Sequence, residues 1–134
     1  MSIEAYAAGI WEGEGSTAIY IGSGQNRTGL VYAVSVWQSN YVLLNWIHLN
    51  FGGGVYGRQG AGYGKESKSR KVCGEWRATG AKAYTFLITI RPYMVFRTAE
   101  VDVMIEAWEK RQDTDCLQTL IQKRKQVRQP VLVL

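Results

Sequence analysis

Ala7-Ala8-Gly9-Ile10-Trp11-Glu12-Gly13-Glu14-Gly15-Ser16 is the stretch on which the reading of this chain turns. Ser2 stands where it can cap a helix that begins near Ile3. Ala5, Gly9 and Gly13 then recur every four residues and form a ridge with almost no side chain. Glycine costs roughly 1 kcal/mol relative to alanine inside a helix, so two of them need a reason. Close approach of a second helix is one such reason. Glu12 and Glu14 lie two positions apart, about 200° around a helix, and cannot share a helical face. Glu14 is the better site candidate, because Gly13 and Gly15 end the helix around it and a strand pattern follows at once. The freed carbonyls of the last turn, Gly13 among them, can join its carboxylate around a hard cation.

Outward from this stretch, the pattern changes period. Residues 16–21 alternate, with Thr17, Ile19 and Ile21 on one side and Ser16, Ala18 and Tyr20 on the other. A turn at residues 22–26 leads past Arg27 to a second strand, Leu30 to Gln38. There Leu30, Tyr32, Val34 and Val36 are expected to face the core, and Val31, Ala33, Ser35 and Trp37 to face outward. Asn40 can cap a helix over Tyr41 to Phe51, with Leu43, Trp46, Ile47, Asn50 and Phe51 as its stripe. Gly52-Gly53-Gly54 stops it. Val55 to Arg58 and Val72 to Thr79 make a second hairpin around a glycine-rich basic loop. Gly80 opens a helix marked by Ala83, Phe86, Leu87 and Ile90, and Arg91-Pro92 closes it. Val101, Met104, Ile105 and Trp108 mark a further helix, and Leu117, Leu120 and Ile121 a last one. The order predicts an α+β fold, with a four-stranded antiparallel sheet covered by helices on one face and open to a ligand on the other.

The chain has 134 residues, 46% of them hydrophobic, which suits one domain with one core. That domain spans residues 1–134, with its core over about 3–108 and a C-terminal helical extension over about 109–134. No apolar run reaches membrane-spanning length and no signal-peptide pattern opens the chain, so a soluble intracellular protein, not a secreted one, is expected. Cys73 and Cys116 have no metal-binding spacing and are expected as reduced thiols. Net charge is +5, and its placement is uneven. Before residue 58 the only Lys or Arg is Arg27, whereas Arg58, Lys65, Lys68, Arg70, Lys71 and Arg77 crowd the next twenty positions. Lys123-Arg124-Lys125 and Arg128 form a second run. Clustered cations point to a polyanionic partner. Other chemistries find little support. The glycine-rich loop fails as a phosphate-binding P-loop, because Gln59 and Glu66 occupy positions that require Gly and Ser or Thr. His48 is the sole histidine and reads as a packing residue, and Cys73 reads as core rather than nucleophile.

The opening stretch resembles the LAGLIDADG motif of the homing endonucleases. Ala7, Ala8 and Gly9 stand for its first three residues, Ile10 and Trp11 for its aliphatic pair, and Glu12-Gly13-Glu14-Gly15 for its acidic end. The element order is similar to that family's αββαββα. The resemblance implies a saddle-shaped sheet lying along the DNA major groove and motif helices packed at a twofold axis. With one motif copy, it implies a homodimer joined through Ala5, Gly9 and Gly13. It implies a Mg2+-dependent double-strand DNA endonuclease of intron or intein mobility, with no small-molecule organic cofactor and no membrane partner. Glu14 and the Gly13 carbonyl would hold the metal. Gln38 would orient the attacking water, and Arg97 would neutralise transition-state charge where the family usually has Lys. As a fixed cation, Arg97 suits electrostatic stabilisation better than proton transfer. Ser16, Tyr20, Arg27, Ser35, Trp37, Arg58, Gln59 and Arg77 are the candidate DNA contacts. The alternative is a non-cleaving nucleic-acid-binding protein of the same fold, such as an intron RNA maturase.

Overall fold

The computed structural model describes residues 2–22, 29–59 and 72–128. The helix α1 spans Ile3–Glu14, and its Ser2 cap accepts a hydrogen bond from the Ala5 amide at 3.0 Å. The strands β1 (Gly15–Ile21) and β2 (Leu30–Gln38) form the first hairpin. The helix α2 (Tyr41–Phe51) starts at Asn40, whose side chain accepts from the amides of Val42 and Leu43. Strands β3 (Gly54–Gln59) and β4 (Val72–Thr79) pair next, followed by α3 (Gly80–Ile90), a short 3-10 turn (Arg91–Tyr93), α4 (Thr98–Glu109) and α5 (Thr114–Arg128). The sheet is antiparallel throughout, in the order β1-β2-β4-β3, so the two central strands come from different hairpins.

The register fixes what each face carries. Thr17 opposes Val34, Ile19 opposes Tyr32, and Val36 opposes Trp76, all on the helix-covered face. The core built there joins Trp11, Tyr32, Val34, Val36, Leu44, Ile47, Trp76, Phe86, Leu87, Ile90 and Met104, each nearly or fully buried. Removing a side chain as large as Trp76 from such a core costs about 3–5 kcal/mol. Its Nε1 also donates to the Gly52 carbonyl at 2.8 Å, tying the end of α2 to β4. Gly53 completes that joint: it has φ of 81°, and a Cβ there would stand 2.7 Å from the Arg77 carbonyl and 2.8 Å from Trp76 Nε1.

One expectation about faces needs correcting. On α2 the buried leucine is Leu44, not Leu43, and Asn50 is exposed. The inward stripe is Leu44, Ile47 and Phe51, spaced three and seven, and it turns Leu43 toward α1 instead. On β2, Ala33 and Ser35 lie on the open face as expected, yet both are buried. They are small residues on a central strand.

Candidate functional site at the exit of the first helix

The junction between α1 and β1 is built around Trp11. Its indole is fully buried and lies over Gly15, where a Cβ would approach the ring to 2.3 Å. The Gly15 amide donates to the Trp11 carbonyl and closes the helix. The two acids of this turn then separate as their spacing demands. Glu12 points inward and is 5% exposed. Its carboxylate accepts from three consecutive backbone amides, Val95, Phe96 and Arg97, at 2.7–3.0 Å. Glu14 points outward and is exposed.

Gln38, the last residue of β2, meets Glu14 there. Its Oε1 accepts from the backbone amides of Ser39 and Asn40 at 2.9 and 3.3 Å, which fixes the orientation of its amide. Its Nε2 therefore faces Glu14 and donates to Oε2 at 2.9 Å. Gly13 is the penultimate residue of α1, where helix carbonyls have no intrahelical amide to accept from. Glu14, Gly13 and Gln38, singled out in the sequence, thus form one cluster.

Arg97 does not join it. Its Nη1 donates to the Gly15 carbonyl at 2.7 Å and reaches those of Trp11 and Glu12 at 3.3 and 3.5 Å. Nε and Nη2 hold the Glu100 carboxylate, and the guanidinium lies 4.2 Å from the centre of the Trp11 ring. With its donors on the carbonyls of the turn and on Glu100, Arg97 clamps the end of α1. The network extends further. The Thr17 hydroxyl donates to Glu100 Oε2 at 2.6 Å and accepts from Arg124 Nε at 2.8 Å, and Arg124 Nη2 donates to the Thr17 carbonyl. Arg128 lies 3.7 Å from the same Glu100 carboxylate. Arg124 is therefore buried, against its reading as part of a surface basic run. Burial, then the adjacent Arg128, pulls its guanidinium below the usual arginine range, and Glu100 opposes that pull. Neither Thr17 nor Glu100 was marked by any local signal, since the partners are 83 and 107 residues away from Thr17.

Of the expected DNA contacts, Ser16, Tyr20, Ser35, Trp37 and Arg77 share the open face. Ser16, Ser35 and Arg77 lie in one row across three strands, with the two serine hydroxyls 3.1 Å apart. Arg77 Nη1 is 3.7 Å from Glu75, a buried carboxylate on the same face that the sequence reading missed. Arg27 lies outside the described residues. For Arg58 and Gln59 only the backbone register is described. Arg58 pairs with Cys73 and Gln59 with Val72. The ridge of Ala5, Gly9 and Gly13 borders a surface groove of about 500 Å³ shared with Glu14 and Leu43. Among the described residues, a Cβ at Gly9 or Gly13 would meet nothing within 4 Å.

Four strands, a helix exit bearing a carboxylate, and an open sheet face define an architecture seen before. The chain has the fold of the LAGLIDADG homing endonucleases. The homing endonuclease I-CvuI, in complex with its target, superposes with a TM-score of 0.71 at 19% identity over 96% of this chain and 83% of that one. The archaeal intron-encoded homing endonuclease I-Vdi141I, complexed with DNA, gives 0.71 at 16% identity over 96% and 86%. The LAGLIDADG homing endonuclease I-GzeII, bound to its DNA target, gives 0.64 at 13% identity, and this chain spans only 44% of it. No protein-family model and no curated protein matches the sequence. Among the described residues, no helix is long and apolar enough to cross a membrane.

Proposed function

We propose that this chain is a site-specific DNA endonuclease that works as a homodimer and cuts both strands of a long, roughly palindromic target with Mg2+. The observation that carries the reading is the Glu14–Gln38 pair. An exposed carboxylate stands at the exit of α1, joined at 2.9 Å to the end of β2, at the rim of the open sheet face. The donors fit the metal: the Glu14 carboxylate and the Gly13 carbonyl are hard oxygens suited to a hard divalent cation. Among the described residues no group of three or more His, Cys, Asp or Glu could hold one. The described residues of one chain bring one carboxylate to this place, so phosphate oxygens and a second copy would complete the coordination. When bound, the cation supplies Lewis acidity and a nucleophilic water at neutral pH.

The chain's own residues bind and orient. Gln38 steadies Glu14 with one Nε2 hydrogen, and the other can orient the attacking water. Ser16, Ser35 and Arg77 present hydroxyls and a guanidinium in one row, suited to phosphate anchoring or to reading base edges in the major groove. The ridge on α1, which the described residues leave uncovered, supports a homodimer. The likeness to an intron-encoded neighbour extends the reading to intron or intein mobility.

The test is cleavage of a randomised DNA library with Mg2+, followed by sequencing of the ends. Wild-type protein should yield one defined target. On that target Glu14→Gln should bind normally with Ca2+ and cut at least about 10²-fold more slowly, the scale of losing one transition-state-stabilising group. Near-normal cutting by Glu14→Gln would refute the assignment. Binding without cutting by the wild type would turn the reading to the non-cleaving nucleic-acid binder.

A further inference from the structure

The buried network under the α1–β1 junction reaches from the final helix to the turn that carries Glu14. Arg124 on α5 binds both the hydroxyl and the carbonyl of Thr17, the third residue of β1. The Thr17 hydroxyl donates to Glu100, Glu100 accepts from Nε and Nη2 of Arg97, and Arg97 Nη1 holds the Gly15 carbonyl at 2.7 Å. Glu14 therefore lies between two clamped points. On one side Glu12 is locked by three amides, and on the other Gly15 and Thr17 are locked by two arginines. Thr17 and Arg124 are both buried, and neither belongs to the open sheet face or to the exposed cluster of Glu14 and Gln38.

We infer that Thr17 and Arg124 are positioning residues for Glu14, acting through Glu100 and Arg97 to hold the α1–β1 turn where its carboxylate can serve the reaction. The inference rests on the endonuclease reading above. It makes α5 part of the catalytic support, although this helix lies beyond the residues that carry the motif. Reacting groups must be held to within a fraction of an ångström, and a misplacement of about 1 Å can cost about 10²-fold in rate. A clamp under the turn acts on that distance and leaves the DNA-facing row untouched.

Thr17→Val keeps the branched shape and removes only the hydroxyl. In single-turnover assays below the melting temperature, it should bind target with Ca2+ as tightly as wild type. It should cut about 10- to 100-fold more slowly and need more Mg2+ for half-maximal rate. Thr17→Ser, which restores the hydroxyl, should recover both. Arg124→Lys keeps the charge but cannot span the hydroxyl and the carbonyl, and should act in the same direction, so one variant that fails to fold does not remove the test. A folded Thr17→Val or Arg124→Lys that cuts at the wild-type rate with the wild-type Mg2+ midpoint overturns the positioning role. So does parallel loss of binding and cutting that follows the melting temperature alone. A wild type that binds DNA but never cuts it defeats the endonuclease reading and takes this role with it.

Discussion

A carboxylate surrounded by three backbone amides and a carboxylate facing solvent answer differently to the same substitution. Glu12 accepts from Val95, Phe96 and Arg97, and so fastens the segment after the 3-10 turn to the end of α1. In Glu12→Gln the charge disappears and an NH2 group is turned on amide donors. Hydrogen bonds to charged groups are worth about 1.5–3 kcal/mol, so a loss of about that size is expected from urea unfolding. Glu14→Gln changes an exposed group and should stay within about 0.5 kcal/mol of wild type. Equal losses in the two variants would mean that the acids are not divided in this way. The division itself was legible, because a spacing of two cannot place both acids on one helical face. Arg97 was not. Nothing near it in sequence reveals that three carbonyls at the end of α1 lie within reach of one guanidinium, or that Glu100 and the Trp11 ring complete its surroundings.

Elements whose apolar spacing is strong were readable to the residue. Ala83, Phe86, Leu87 and Ile90 are all buried on α3, and Leu30–Gln38 is the observed extent of β2. On α2 eight of eleven positions are apolar, so periodicity could not choose between Leu43 and Leu44. The choice is made by what packs there, since a Cβ at Gly74 of β4 would stand 2.7 Å from Leu44 Cδ1. Contacts between distant elements were also silent. Tyr32 on β2 donates its phenol proton to the Met104 carbonyl of α4 at 2.7 Å and packs against Trp108. Burial pushes this phenol well above the usual tyrosine range, with Tyr84 and Glu109 adding to the shift. A raised value means that the fold favours the neutral phenol. Its contribution is complete below about pH 10, the ordinary tyrosine value, and is lost as pH rises above that. Tyr32→Phe should cost about 1 kcal/mol at neutral pH and decline less steeply than wild type in alkali. Unfolding midpoints across pH 8 to 11 check this, and parallel declines would count against Tyr32 as the source.

At the scale of the whole molecule, the surface of α1 poses a question that a single chain does not answer. Glycine in a helix is destabilising by about 1 kcal/mol relative to alanine, and among the described residues nothing approaches Gly9 or Gly13 closely enough to need the space. If the chain acted alone, Gly9→Leu would meet no atom of the described residues within 4 Å at its Cβ, would raise helix propensity and would stabilise the protein. If two copies pack α1 against α1, the same substitution fills the place of the partner's backbone twice over, once from each copy. Overpacking of that kind costs about 1–3 kcal/mol at each site. The expected outcome is therefore opposite for two properties of one variant. Gly9→Leu should keep or raise the stability of the monomer, while sedimentation shows the dimer dissociating at concentrations where wild type stays paired. Because each copy would bring one Glu14 to the shared axis, cutting of both strands should fall with the loss of dimer and recover at high protein concentration. An undisturbed Gly9→Leu dimer would exclude this ridge as the contact. A wild type that is monomeric on its full-length target would exclude the homodimer altogether.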